Sequence, residues 1–77
     1  MIEWYKLEGS SPCVGKTIGE LDIRRRTGAI IIATVENHKE TISPGPEKVL
    51  TAGTVLVVAG ERKQVKALKA ALESREA

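Results

Sequence analysis

The stretches Ala29–Val35, AIIIATV, and Thr54–Ala59, TVLVVA, decide the fold class of this 77-residue chain. Neither stretch contains a charged residue, and both consist mainly of aliphatic side chains, many of them β-branched. Continuous runs of this kind are typical of strands that are covered on both faces. A single chain of this size buries only about 60% of the surface that its unfolded form exposes. We therefore expect a second copy of the chain to cover one face of the sheet.

Shorter patterns place the remaining elements around these two strands. Thr17 is expected to cap a short helix, and Gly28 is a natural stop after it. The overall prediction is an α+β fold, with a small mixed or antiparallel sheet of about four strands and two helices, dimerising. The predicted elements are an opening strand at 2–7, a helix at 14–23, a polar turn at 36–39, a hairpin strand at 40–43, one helical turn at 47–50 and a closing helix at 61–73.

The stretch Gly9–Thr17, GSSPCVGKT, is close to a phosphate-binding loop without matching it. Such a loop has four residues between its first glycine and the Gly-Lys-Thr end, because the intervening amides wrap the phosphates. Here five residues separate Gly9 from Gly15, so the ring of amides is one residue too long. We interpret the stretch as a surface turn that leads into a capped helix. A small nucleotide hydrolase built on Lys16 is the least favoured hypothesis.

The composition argues against several classes of function. Twelve basic and 10 acidic residues leave a net charge of +2, too balanced for a general nucleic-acid binder. Cys13 and His38 are the only cysteine and histidine, so one chain cannot assemble a four-ligand zinc site. No apolar run approaches the roughly 20 residues needed to cross a bilayer. No set of residues suited to catalysis is apparent, so we predict that the chain is not an enzyme.

Three consecutive arginines, Arg24–Arg26, follow the predicted helix and have two interpretations. In the simpler one they are a solvated helix end, where cations complement the partial negative charge of the last carbonyls. Asp22 would then pair with Arg25 or Arg26 at helical spacing. In the other, one arginine binds a phosphate, because a guanidinium matches the geometry of phosphate oxygens.

The order of motifs along the chain resembles the C-terminal regulator-of-potassium-conductance domain, also called the TrkA-C domain. The resemblance covers essentially residues 2–72, and it is greatest to the domain in cytosolic subunits of bacterial potassium/proton antiporters. The motifs that carry it are IEWYKL at 2–7, VGKTIGELDIR at 14–24, PGPE at 44–47 and AGTVLVVAG at 52–60.

The resemblance implies that residues 1–77 form a single regulatory domain, which we expect to be cut from a longer protein. It implies a homodimer in the cytoplasm, associated with a membrane potassium channel or a cation/proton antiporter. It further implies cyclic di-AMP as a regulatory ligand at the dimer interface, with no metal or other cofactor. An alternative is a structural dimerisation module that has no ligand of its own. The ligand-binding residues that the resemblance implies are Ile23, Arg24, Ile30, Ile31 and Pro44.

Overall fold

The computed structural model describes residues 1–73; residues 74–77 of the predicted domain lie outside the described part. The strands are β1 (Ile2–Lys6), β2 (Ile30–Glu36), β3 (Lys39–Ile42) and β4 (Val55–Ala59), and the helices are α1 (Ile18–Leu21), α2 (Ile23–Thr27) and α3 (Arg62–Glu73). The four strands form one sheet in the order β1-β4-β2-β3, and every neighbouring pair is antiparallel. The predicted α+β class and strand count are confirmed.

The β2–β3 hairpin closes more tightly than the sequence suggests. Glu36 pairs with Lys39 across the ladder, so the turn contains only Asn37 and His38 rather than all four residues. Both turn residues have positive φ values, 51° and 65°. Two such residues make the turn whose twist matches that of antiparallel strands, and asparagine tolerates the conformation well. The exposed His38 therefore lies at the tip of the hairpin.

Helix α3 covers one face of the sheet. Its apolar stripe, Val65, Leu68 and Leu72, is almost fully buried, as predicted from its spacing. These side chains belong to the same core cluster as Leu56 and Val58 of β4. Alternate residues of a strand point to opposite faces, so the other residues of β4 lie on the side away from α3.

That second side of the sheet remains exposed within one chain. Trp4 pairs with Val57, and Ile2 and Ile30 flank Ala59 from the two sides. Trp4 is 70% exposed and Ile2 is 64% exposed. The sequence predicted strands that are covered on both faces, and a single chain covers only one of them. We call this surface the open face; its apolar residues are Ile2, Trp4, Ile30, Ile42, Val57 and Ala59.

The continuous helix predicted at residues 14–23 is wrong. The chain reaches a helical conformation only at Ile18 and leaves it at Asp22, which adopts a left-handed conformation with φ 51° and ψ 42°. Aspartate visits this conformation more readily than most residues, and it breaks the helical hydrogen-bond ladder. A second short helix, α2, then runs to Gly28, whose φ of 83° ends it. The predicted cap is confirmed, because Thr17 forms a complete capping box with Glu20.

The helical turn predicted at residues 47–50 is also wrong. Glu47 lies in a tight turn closed by a bond from Lys48 N to Gly45 O at 3.1 Å, and the residues after it run antiparallel to residues 15–19, with a bridge between Thr17 and Val49. We call the pair of segments, 15–19 and 46–50, the ribbon. Main-chain bonds between these distant segments form only in the folded chain, and here they take the place of a helix at residues 47–50. The ribbon bonds run from Gly15 N to Leu50 O (2.8 Å), from Leu50 N to Lys16 O (2.9 Å), from Ile18 N to Lys48 O (3.0 Å) and from Gly19 N to Pro46 O (2.8 Å).

Candidate ligand-binding site

A cavity of about 390 Å³ lies where the α1–α2 region, the start of β2 and the segment after β3 meet. The structure places all five residues predicted for ligand binding on the lining of this one cavity: Ile23, Arg24, Ile30, Ile31 and Pro44. They come from three separate parts of the sequence, so only the fold brings them together. Five further lining residues were not predicted from the sequence: Ile18, Gly19, Asp22, Ala29 and Pro46.

Among residues 1–73, Arg24 is the one positively charged side chain of the lining. The two arginines that follow it make contacts within the chain. Arg25 donates to the Asp22 carboxylate at 2.5 Å, and Arg26 donates to the carbonyl oxygen of Leu21 at 3.1 Å. Arg24 is exposed, and its guanidinium has no ion pair or hydrogen bond among residues 1–73. A guanidinium with free donors beside a cavity suits an incoming phosphate.

The rest of the lining is mainly apolar. Ile23 is buried, and Ile31 packs against the core. Pro44 is half-buried, and with Pro46 it forms the part of the lining that we call the proline wall. Branched aliphatic side chains and proline rings offer flat, apolar contact surfaces of the kind that pack against a purine. The cavity thus combines one unpaired guanidinium with one apolar shelf.

Asp22 is the only acidic residue of the lining. Its carboxylate pairs with Arg25, which lies outside the lining, so its negative charge is balanced from outside the cavity. The pairing of Asp22 with Arg25 was part of the simpler interpretation of the three arginines. Arg24 stands apart from that interpretation because it alone contributes to the lining.

Ile30 connects the cavity to the open face. It lies on the cavity lining, and it is also the partner of Ala59 on the open side of the sheet. Its side chain is 42% exposed. A protein chain that covers the open face at this end of the sheet would therefore lie beside the cavity.

The GSSPCVGKT stretch is not arranged as a phosphate cradle. A cradle needs main-chain N–H groups that are free to point at phosphate oxygens. Here Gly15 N donates to Leu50 O at 2.8 Å and Lys16 N donates to Cys13 O at 3.1 Å. Thr17 N donates to the Glu20 carboxylate at 2.8 Å, and this bond and the Thr17 side chain lower the pKa of Glu20. The amides are occupied, and a carboxylate lies at the end of the loop.

The TrkA-C domain family matches residues 2–73 of the chain. The chain belongs to the TrkA-C domain family. TrkA-C domains, also called RCK_C domains, are regulatory domains of potassium transport systems and are not catalytic. The resemblance read from the sequence motifs is therefore confirmed.

Among curated relatives, the K(+)/H(+) antiporter subunit KhtT of Bacillus subtilis is 36% identical over 69 residues, which is 88% of this chain and 42% of KhtT. The ammonium/H(+) antiporter subunit AmhM of Alkalihalophilus pseudofirmus is 27% identical over 62 residues, or 80% of this chain and 37% of AmhM. The chain thus spans less than half the length of these relatives.

Among solved structures, the chain is similar to the RCK_C domain dimer of S. agalactiae BusR in complex with c-di-AMP. The TM-score is 0.85 at 30% identity, covering 92% of this chain and 93% of that one. A longer BusR chain, of which the match covers 36%, is solved in complex with promoter DNA at a TM-score of 0.86. Within residues 1–73, no helix is long and apolar enough to cross a membrane, and no group of three or more potential metal ligands occurs.

The missed lining residues left only faint signals in the sequence. Gly19 lies inside the helix predicted at 14–23, where a glycine is less favourable than alanine by about 1 kcal/mol. Pro46 directly precedes the helical turn predicted at 47–50, which does not form. Ile18 and Asp22 were assigned to a continuous helix, so the break that turns them towards the cavity was not foreseen.

Proposed function

We propose that this chain is a dimeric, non-catalytic regulatory domain that controls a potassium channel or a monovalent-cation/proton antiporter. In this proposal it works in the cytoplasm beside the transporter and senses cyclic di-AMP at the dimer interface. The observation that carries the proposal is the unengaged guanidinium of Arg24 beside an apolar shelf at the edge of an open face.

The symmetry of the ligand supports a shared site. Cyclic di-AMP has two phosphates and two adenines related by a two-fold axis, whereas one cavity offers a single guanidinium. Two copies related by a two-fold axis would supply one guanidinium and one shelf to each half of the ligand. Because Ile30 lies on both the open face and the cavity lining, a copy that covers the open face brings a second cavity close to the first.

A shared site also explains how binding would act on a distant transporter. A ligand that contacts both copies stabilises one arrangement of the dimer over others, by the difference in its affinity for the two arrangements. The relatives support this role by what their names state: KhtT is an antiporter subunit, and the RCK_C dimer of BusR holds c-di-AMP. DNA binding is not part of the proposal, because the near-balanced charge of the chain offers no basic face.

Isothermal titration of the chain with cyclic di-AMP tests the proposal. We expect sub-millimolar binding with one ligand per two chains. Arg24→Ala removes a charged hydrogen bond at each half of the ligand, at about 1.5–3 kcal/mol each, so affinity falls by about 10²-fold or more. Arg26→Ala is the matched control, because Arg26 lies outside the lining and donates to the carbonyl oxygen of Leu21, so its loss leaves affinity within about threefold of the unmodified chain.

The alternative is a structural dimerisation module without a ligand, which the open face supports equally well. A flat titration from a chain that ultracentrifugation shows to be dimeric would establish this alternative and reject the sensing proposal. Phosphate release that disappears in Lys16→Ala would support the hydrolase hypothesis, and we expect no such release.

A further inference from the structure

We infer that the ribbon positions the proline wall of the cavity, and that Gly19 is the position on which this depends. The inference rests on the proposed ligand site and deepens it by assigning a positioning residue. Gly19, in helix α1, and Pro46 both lie on the cavity lining. The ribbon joins the two segments to which they belong through main-chain bonds.

The link is short and made of backbone. Gly19 N donates to Pro46 O at 2.8 Å, and one residue earlier Ile18 N donates to Lys48 O at 3.0 Å. A main-chain bond leaves little freedom, because neither partner is a flexible side chain. The position of Pro46 on the lining is therefore held through Gly19.

The approach at Gly19 leaves no room for a side chain. A Cβ atom added there would lie 3.0 Å from Pro46 O and 3.1 Å from Pro46 Cβ. Both contacts are with rigid atoms, a carbonyl oxygen and a ring carbon, so the proline segment would have to move away by a few tenths of an ångström. Gly19 has no positive φ, so the requirement is one of space and not of backbone conformation. Pro44 lies in the same segment and would move with it.

The other end of the ribbon is fastened to the sheet. The Lys48 ammonium bonds to the Glu36 carboxylate, and the Thr51 hydroxyl donates to the same carboxylate at 2.9 Å. Glu36 lies at the end of β2, the strand whose first two residues line the cavity. These bonds to Glu36 prevent residues 46–50 from shifting as a rigid unit. A side chain added at Gly19 would therefore displace mainly the proline wall.

The proline wall and Arg24 would respond differently to a side chain added at Gly19. Moving the proline wall weakens apolar packing against the purine, whereas Arg24 on α2 keeps its position relative to the phosphate. The electrostatic part of binding, which salt screens, is thus preserved when the apolar part is reduced. A general loss of structure would reduce both parts together.

Titrating cyclic di-AMP into Gly19→Ala and Gly9→Ala variants tests the inference. At Gly9 an added Cβ lies 3.8 Å from Ala52 Cβ, an ordinary contact, and Gly9 has no positive φ, so it is a matched control. We expect Gly19→Ala to bind about tenfold more weakly, about threefold for the shelf of each of the two copies, which is the lower range of one aromatic packing contact per copy, with Gly9→Ala unchanged. The dependence of affinity on salt should stay the same in Gly19→Ala and become shallower in Arg24→Ala.

If the unmodified chain binds and Gly19→Ala binds equally well, the inference is wrong while the proposed function stands. If the unmodified chain does not bind, the proposed function itself fails. Should Gly19→Ala not fold, Lys48→Met loosens the far end of the ribbon without touching the lining. That variant is expected to remain folded and to bind cyclic di-AMP about threefold more weakly. The proline wall would shift less than in Gly19→Ala, so only part of its packing against the purine is lost. Unchanged affinity would overturn the inference.

Discussion

Replacing Thr34 by valine is expected to stabilise the domain. Thr34 lies in the middle of β2 and is fully buried, and its hydroxyl oxygen has no hydrogen-bond partner within residues 1–73. A buried hydroxyl without a partner has lost its bonds to water and gained nothing in return. Valine has nearly the same shape, keeps one methyl in place and suits a strand at least as well.

The size of the effect follows from the desolvation of that hydroxyl. Leaving a polar group buried without a partner costs about 1–3 kcal/mol of stability. The methyl group that replaces the hydroxyl is larger, and its crowding offsets part of the gain. We therefore expect a net stabilisation of about 1 kcal/mol, or a rise in melting temperature of about 4–8 °C for a domain of this size. Circular dichroism melts at one fixed protein concentration measure the shift, because a dimer melts at a temperature that depends on concentration.

Thr54→Val is the matched control. Thr54 is equally buried, but its hydroxyl lies 2.8 Å from that of Thr51. Thr51 uses its own hydrogen to bond Glu36, so Thr54 is the donor in the pair. Removing this bond should lower stability by about 0.5–1.5 kcal/mol. The reasoning is refuted if Thr34→Val lowers the melting temperature, or if the two valine variants shift it in the same direction.

Two further predictions concern the open face and the ribbon. Trp4→Ser removes a side chain that is 70% exposed in one chain, and its burial by a second copy at about 25 cal/mol per Å² amounts to about 2–4 kcal/mol. Sedimentation should therefore show dimerisation at least about 100-fold weaker, with exposed His38→Ser unchanged; equal dimerisation would show that Trp4 lies outside the interface. The hydrogen bonds from Lys48 and Thr51 lower the pKa of Glu36, so Glu36 contributes stability above its unfolded pKa of about 4.3, and this is lost as the pH falls through the lowered folded pKa. Urea unfolding should show Glu36→Gln to be less stable than the unmodified chain at pH 7, with a gap that narrows as the pH falls below about 4.3; a gap that does not change with pH would contradict the assignment.

The strands and the closing helix were predictable because their signals are local. Two uncharged aliphatic runs, Ala29–Val35 and Thr54–Ala59, define the central strands, and the observed boundaries differ from the predicted ones by one residue. The stripe of Val65, Leu68 and Leu72 similarly predicts α3 and its buried side. The cap at Thr17 follows from its spacing to Glu20.

Less of the candidate site could be predicted from the residues alone. Its five predicted residues came from the family resemblance, and the structure places them on one cavity; their role in binding stays a prediction. Four of the other five lining residues were missed because two predicted helical segments do not form as expected; the fifth, Ala29, was predicted only as part of a strand. Asp22 takes a left-handed conformation, and residues 48–50 bond to residues 15–18 instead of forming a helical turn.

The sequence by itself determined the elements whose side chains repeat with a regular period and whose ends have their own caps and turns. It also determined that one chain has more apolar strand surface than it can cover. Only the tertiary structure decided the order of the strands, the break at Asp22 and the ribbon that holds the walls of the cavity together. The strand order and the ribbon depend on main-chain bonds between residues far apart in the sequence, such as Gly19 and Pro46 or the paired Ile2 and Ala59. Such bonds form only once the chain has folded, and they then outweigh the weak local preference for a helix.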